Sequence, residues 1–206
     1  MWALLARKTQ VLIVVSLGIV AAWALEGVYS LVAGPSSLLH WLSLAAFIVG
    51  TVLTTAANVA WRFIWKRFPI IEKNTFPDLN GSWTGNFHST WIDPETKQGI
   101  APRPVTITIR QSLFATSVKL ETGESTSHSS RCLLESVPEQ RLFRIWYSYN
   151  NTPRAQVQHR SAPHEGVALL QMDYDANPNR LTGTYYTARK TTGDIDLIRN
   201  EAELCN

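Results

Sequence analysis

Arg103-Pro104-Val105-Thr106-Ile107-Thr108-Ile109-Arg110-Gln111 decides the fold class. Val105, Ile107 and Ile109 alternate with Thr106, Thr108 and Arg110, which puts apolar side chains on one face of a strand and polar ones on the other. Working outward, Phe143, Ile145, Tyr147 and Tyr149 alternate in the same way with Arg144, Trp146 and Ser148. The pattern predicts eight strands, at approximately Gly81–Ser89, Arg103–Gln111, Leu113–Glu121, Ser127–Val137, Arg141–Tyr149, Gly166–Tyr174, Arg180–Thr187 and Asp194–Arg199. Thr122-Gly123-Glu124, Pro138-Glu139-Gln140, Asn177-Pro178-Asn179 and Thr192-Gly193 are hairpin material between them. Short spacings favour pairing of sequence neighbours, and eight meandering strands close naturally into a barrel, which removes exposed edges. The expected fold is therefore an eight-stranded antiparallel up-and-down barrel, lipocalin- or avidin-like, with a sandwich as the alternative. Gly81-Ser82-Trp83 opens the first strand with the Gly-x-Trp of such barrels, where the Trp plugs one end.

The N-terminal third reads differently. From Val11 to Trp65 the chain is almost wholly apolar. Two transmembrane helices are predicted, about Thr9 to Val32 and Leu38 to Trp61, each near the ~20 residues that cross hydrocarbon. Gly34-Pro35-Ser36-Ser37 forms the turn between them and lacks Lys and Arg, whereas Arg7 and Lys8 flank one outer end and Arg62, Lys66, Arg67 and Lys73 the other. The positive-inside rule then places both termini in the cytoplasm. Trp2, Trp41, Trp61 and Trp65 sit where interfacial aromatics are expected. A cleaved signal peptide ending near Ala22-Trp23-Ala24 is the rival reading, disfavoured by the second span that follows so closely. The expected organisation is a two-helix membrane hairpin over residues 1–67, a juxtamembrane linker over 68–77, and a cytoplasmic β domain over 78–206.

Small and polar residues recur every four positions within the spans: Gly18, Ala22, Glu26 and Ser30 in the first, Ala46, Gly50, Thr54 and Asn58 in the second. Each set lies on one helical face and permits close helix approach. The stripes either pack the hairpin's own two helices or form contacts between protomers, and the sequence leaves both open. Glu26 is either an intramembrane ionisable group or a solvated residue at the outer interface.

The net charge of +3 reports topology. From Phe76 onward 13 Lys/Arg stand against 14 Asp/Glu, so nothing argues for a DNA or RNA surface. Cys132 and Cys205 are too few for a disulfide framework and read as reduced thiols. No Gly-x-Ser-x-Gly elbow, phosphate loop, Gly-x-Gly-x-x-Gly or His-Glu-x-x-His occurs, the five histidines are scattered, and the Asp173/Asp175 and Asp194/Asp196 pairs read as solvent-facing. No enzyme, metal site or cofactor is expected. A binding site is easier to motivate. Arg110, Arg144, Arg189 and Lys190 sit in or beside strands, and Trp91, Trp146, Tyr147, Tyr185 and Tyr186 offer flat faces. Guanidinium forks match phosphate oxygens and aromatic faces stack on bases, a combination suited to a small nucleotide at a barrel mouth. For any single Arg, solvent exposure on the polar strand face is the competing assignment.

The order of parts is distinctive: membrane hairpin, short basic linker, then Asp78-Leu79-Asn80-Gly81-Ser82-Trp83-Thr84-Gly85 opening a β domain that ends with Leu181-Thr182-Gly183-Thr184-Tyr185-Tyr186-Thr187-Ala188-Arg189-Lys190-Thr191-Thr192-Gly193-Asp194-Ile195. This resembles, over essentially the whole chain, the two-transmembrane β-barrel effectors of bacterial CBASS antiphage systems. The resemblance implies that the barrel binds a cyclic dinucleotide made by a partner nucleotidyltransferase (CD-NTase) on phage infection. Ligand then drives homo-oligomerisation, and the helices disrupt the inner-membrane bilayer. It also implies Tyr185, Thr187 and Arg189 as ligand contacts, to which the residue-level reading adds Arg110 and Arg144. Gly18, Ala22, Ala46, Gly50 and Thr54 are the expected membrane oligomerisation positions. Two alternatives remain, a tethered barrel for an apolar or lipid ligand and a structural protein with a filled barrel.

Overall fold

The computed structural model describes residues 2–29, 38–55, 60–92, 97–159 and 161–200. The Gly34-Pro35-Ser36-Ser37 turn, Ser30, Asn58 and Cys205 lie outside the described residues, as does the side chain of Glu26. The chain divides into two compact units, one of Met1–Arg67 with Ser112–Phe114, the other of Phe68–Gln111 with Ala115–Asn206.

The first unit contains helices α1 (Arg7–Tyr29), α2 (Leu38–Thr55) and α3 (Trp61–Arg67). Among the described residues one helix, α1, is long and apolar enough to cross a membrane, and α2 carries a shorter apolar stretch, Leu44–Thr55. The helices α1 and α2 pack together, and Ala21 and Val49 are buried. The predicted small-residue stripes lie elsewhere: Ala22, Ala46, Gly50 and Thr54 are exposed, and a Cβ added at Gly18 or Gly50 would meet nothing within 4 Å. On α2 a shallow groove of about 380 Å³ lies between Ala46, Phe47, Gly50, Thr51 and Thr54. Thr51 and Thr54 donate to the carbonyls of Phe47 and Gly50, both at 2.8 Å, so their hydroxyls are satisfied without a partner helix. Trp61 and Trp65 are buried and meet edge to face at 5.7 Å.

The second unit begins with helix α4 (Pro69–Thr75), within what the sequence presents as a linker. Pro69 at the first helical position fits a site where a backbone N–H has no intrahelical acceptor. The strands follow as β1 (Gly81–Ser89), β2 (Arg103–Gln111), β3 (Thr116–Thr122), β4 (Ser125–Val137), β5 (Leu142–Pro153), β6 (His164–Asp173), β7 (Arg180–Thr187) and β8 (Thr192–Arg199). Each pairs antiparallel with its sequence neighbours, and β8 returns to β1 to close the barrel. Where neighbouring backbones approach closely, glycine alone fits: a Cβ at Gly85 would lie 1.9 Å from the Asp196 carbonyl oxygen, and one at Gly183 2.0 Å from that of Leu169.

Several strand ends differ from expectation. β3 starts at Thr116, past Leu113, and β5 runs on through Asn151 to Pro153. A register shift between Ser129 and Arg131 inserts Ser130 as a bulge in β4. The bulge resets the alternation, so Arg131 is exposed and Cys132 is half-buried, opposite Tyr147.

Candidate ligand site

The two ends of the barrel are built differently. At the end where β1 begins, Phe76, Leu79 and Trp83 are buried. Trp83 donates its indole N–H to the Leu79 carbonyl at 3.0 Å, and the Arg199 guanidinium lies 4.5 Å from the centre of the Trp83 ring. Gln111 ties the incoming chain down: its side-chain oxygen accepts from the Leu79 N–H at 2.8 Å, and its amide donates to the Pro77 carbonyl at 3.2 Å. Asn80 and the Gln111 backbone exchange two further hydrogen bonds, at 2.7 and 3.0 Å. Above this plug the interior is aliphatic, with Ile107, Ile109, Ile145, Leu170, Leu181 and Leu197 buried. The plug predicted for Trp83 is thus a cap of apolar and hydrogen-bonded groups together.

Toward the other end the lining turns aromatic and polar. Phe87 of β1 stacks on Tyr185 of β7, centroids 4.4 Å apart and planes 16° off parallel. Between them runs β8, where Gly193 faces the Tyr185 ring: an added Cβ would meet that ring at 2.5 Å. Tyr147 and Tyr149 on β5 lie 5.9 Å apart, and Gly166 on β6 makes room for Tyr149 in the same way, with a Cβ meeting its ring at 2.4 Å. Buried Ser127 donates its hydroxyl to the side-chain oxygen of buried Asn151 at 2.8 Å. The Tyr147 hydroxyl is buried and has no hydrogen-bond partner among the described residues. An orphaned buried hydroxyl costs about 1–3 kcal/mol. The Thr116 and Ser136 hydroxyls share this status nearer the capped end, so the interior holds unmet polar groups along its length.

The rim of this mouth is cationic. The β7–β8 turn carries Arg189 and Lys190, with Lys190 at φ 62, and is braced by the Thr187 and Thr191 hydroxyls 2.6 Å apart. Arg189 donates to the Ser161 hydroxyl at 3.1 Å and is otherwise exposed. Its charge reaches inward. Burial pushes the Tyr149 hydroxyl up to about 12, the neighbouring Tyr185 adds to this, and Arg189 opposes it. The His164 ring is held below its ordinary range chiefly by burial, with Arg189 adding to the effect. Exposed Arg154 follows β5 at the same end, while Arg103 is neutralised by Glu124 at 2.7 Å.

Of the residues singled out from sequence, Tyr185, Thr187 and Arg189 come together here. Arg110 and Arg144 do not. Ile109 and Gln111 flank Arg110 and are buried, so Arg110 is exposed on the outer wall at the capped end. Phe143 and Ile145 likewise turn inward, which sends Arg144 outward to Gln171 at 3.0 Å and Glu135 at 3.3 Å. Sequence reasoning missed Phe87, Tyr149, Ser127 and Asn151. Strand parity carried on from Tyr147 and Tyr149 turns Asn151 and Pro153 inward, but Asn151 is polar and breaks the apolar alternation that marks an inward face.

The outer wall also holds a groove of about 600 Å³, lined by His88, Gln171, Thr182, Thr184, Asp194 and Asp196. Asp196 there is paired with Arg180 at 2.7 Å and Asp194 leaves the groove acidic, whereas the mouth, with Arg154, Arg189 and Lys190, attracts an anion. No cluster of three or more His, Cys, Asp or Glu side chains able to hold a metal occurs among the described residues.

Two comparisons bear on this site. Residues 74–199 match the family model for the cyclic dinucleotide receptor domain of Cap15. The chain is also 24% identical over 160 residues to CD-NTase-associated protein 15 of Staphylococcus schleiferi, an alignment covering 76% of this chain and 79% of that protein.

Proposed function

The chain belongs to the Cap15 cyclic dinucleotide receptor family of CBASS effectors, and on that premise we propose that its open barrel mouth is where the dinucleotide binds and that binding assembles the membrane helices. A receptor domain points to a binding role rather than a catalytic one. The observation that carries the site is the Phe87–Tyr185 stack lying within the mouth whose rim holds Arg189. Tyr185 and Tyr149 offer faces for bases, Arg189 and Lys190 offer donors for phosphates, and Asn151 with the Tyr147 hydroxyl can read a base edge. Thr187 fixes the turn that presents Arg189.

A messenger made by a partner CD-NTase would enter this mouth. If the oligomer binds it better than the monomer does, binding shifts the equilibrium by that difference in affinity. The exposed Ala22, Ala46, Gly50 and Thr54 then serve contacts between protomers, with Gly18 beside them. In this reading α1 and the second apolar segment form a two-pass hairpin in the bacterial inner membrane with both termini cytoplasmic, and the assembled helices disrupt the bilayer and abort infection. Helix α1 alone spans about 34 Å at 1.5 Å per residue, enough for the hydrocarbon core.

One observation favours a barrel for an apolar ligand: Arg110 and Arg144 lie outside and the deeper interior is aliphatic. The Tyr147 hydroxyl, buried and without a partner among the described residues, weighs against it, since an apolar guest would leave it unsatisfied. Calorimetry of the full chain in detergent, with a panel of cyclic dinucleotides and a fatty acid, separates the two. Heat from a dinucleotide supports the receptor site; heat from the fatty acid alone rejects it.

A further inference from the structure

On the outer wall of β4, β5 and β6, remote from the mouth lining, a row of apolar side chains crosses three strands in register: Leu133 opposite Trp146, and Trp146 opposite Leu169. Val167 and Tyr186, paired with each other one step toward the mouth, extend it onto β7. Leu133 keeps 65% of its surface exposed, Tyr186 50% and Val167 42%. Outward positions on a barrel standing in water are expected to be polar, as they are on β2, where Thr106, Thr108 and Arg110 occupy them. Contiguous exposed apolar surface of this kind marks a contact.

The row is also held ready. The Trp146 indole N–H donates to Glu135 at 3.1 Å, and Glu135 is bonded in turn by Arg144 at 3.3 Å. A Trp whose orientation is fixed before contact loses little freedom on being covered, and Trp is enriched among the residues that dominate interfaces.

The charges choose the occupant. On β4, Arg131 lies two positions before Leu133 and Glu135 two positions after it, both pointing outward on either side of the row. Arg131 is exposed and makes no ion pair among the described residues. If a second copy lies face to face about a two-fold axis along the row, every position on one side meets its counterpart from the other side. Arg131 of each copy then faces Glu135 of the other, twice, while Leu133, Trp146 and Leu169 cover themselves. Such self-complementarity is what an isologous interface requires.

We propose that this wall is a dimerisation surface through which two copies of the barrel associate, distinct from the contacts of the membrane helices. It does not depend on the ligand assigned to the mouth.

Facing sheets stand about 10 Å apart, too far for a disulfide between on-axis residues but within reach of a short bis-maleimide. In the full chain, reconstituted in liposomes and carrying Cys132→Ser and Cys205→Ser, Leu133→Cys is compared with Thr106→Cys on the opposite wall. Gly50→Leu is included in both to weaken the helix contacts. Covalent dimer is expected at position 133, at least fivefold over position 106, and is expected to collapse when Arg131→Glu is added. Unchanged thermal melting of each variant excludes misfolding as the cause. Equal yields at the two positions, or a yield at 133 that is indifferent to Arg131→Glu, overturn the proposal.

Discussion

Tyr185 reaches Phe87 across an intervening strand, and it does so because Gly193 on that strand has no side chain. The stack therefore depends on three strands at once, β7, β8 and β1. Any Cβ at Gly193 would also lie 2.0 Å from the His88 carbonyl oxygen, so that position tolerates no substitution without movement of backbone. Tyr185, in contrast, is a side chain that can be changed.

Tyr185→Phe is expected to keep the stack and most of the ligand affinity. Tyr185→Leu is expected to weaken binding by about 1–3 kcal/mol, the range for loss of one base–aromatic contact, or roughly 5- to 150-fold. Titration of both variants with the dinucleotide that gives the largest heat checks this. Equal affinity for Leu and wild type would remove Tyr185 from the site.

Arg189 and Arg110 make a matched test. Both are exposed, so neither truncation is expected to shift melting by more than the few degrees typical of surface changes. Arg189→Ala is expected to cost about 1.5–3 kcal/mol of binding, the range for a hydrogen bond to a charged group. It is also expected to flatten the salt dependence of affinity. Arg110→Ala, at the capped end, is expected to leave both unchanged. A reversed result would move the site from the mouth to the outer wall.

Alkaline stability reports on Tyr149. Its hydroxyl, ordinarily near 10.0, is raised to about 12 in the fold, first by burial. Above pH 10 the unfolded chain loses this proton while the folded chain holds it. The contribution is therefore complete below pH 10 and is lost as pH rises toward 12. Denaturant midpoints measured across that window should fall, and Tyr149→Phe should reduce the fall. The opposite sign is expected for His164, whose folded value is lowered: its contribution is present above about pH 6.5 and shrinks as the solution is acidified.

Gly50→Leu reads out assembly without disturbing the protomer. An added Cβ there meets nothing within 4 Å, and Gly50 lies on the exposed face of α2. Oligomer size in detergent and toxicity in cells are both expected to drop, while ligand heat stays the same. Unchanged toxicity would assign the α2 groove no part in assembly.

How much of this was legible in the sequence depended on where apolar and polar faces are cleanly separated. β1, β2 and β7 start and stop where the alternation says they should. The apolar alternation of β5 stops at Tyr149, yet Asn151 and Pro153 continue the inward face. A barrel mouth that is polar inside defeats a rule that equates inward with apolar. The same parity rule, applied to Ile109 and Phe143, places Arg110 and Arg144 outside, whatever their fitness as phosphate ligands. The bulge at Ser130 carries no compositional mark, and without it the facing of Cys132 and Arg131 is misread. Helix α4 was hidden by its length, since seven residues hold too few periods for a pattern to stand out.

Seven of the eight strand pairings in the barrel join consecutive strands, and only the β1–β8 seam spans the whole domain. During synthesis β1 is the first of the eight strands to emerge and β8 the last. Until β8 has been made, the nascent domain is consequently an unclosed curl with two bare flanks, β1 among them. Truncation within β8 would leave that curl permanently open, turning a receptor into a source of strand-to-strand aggregation.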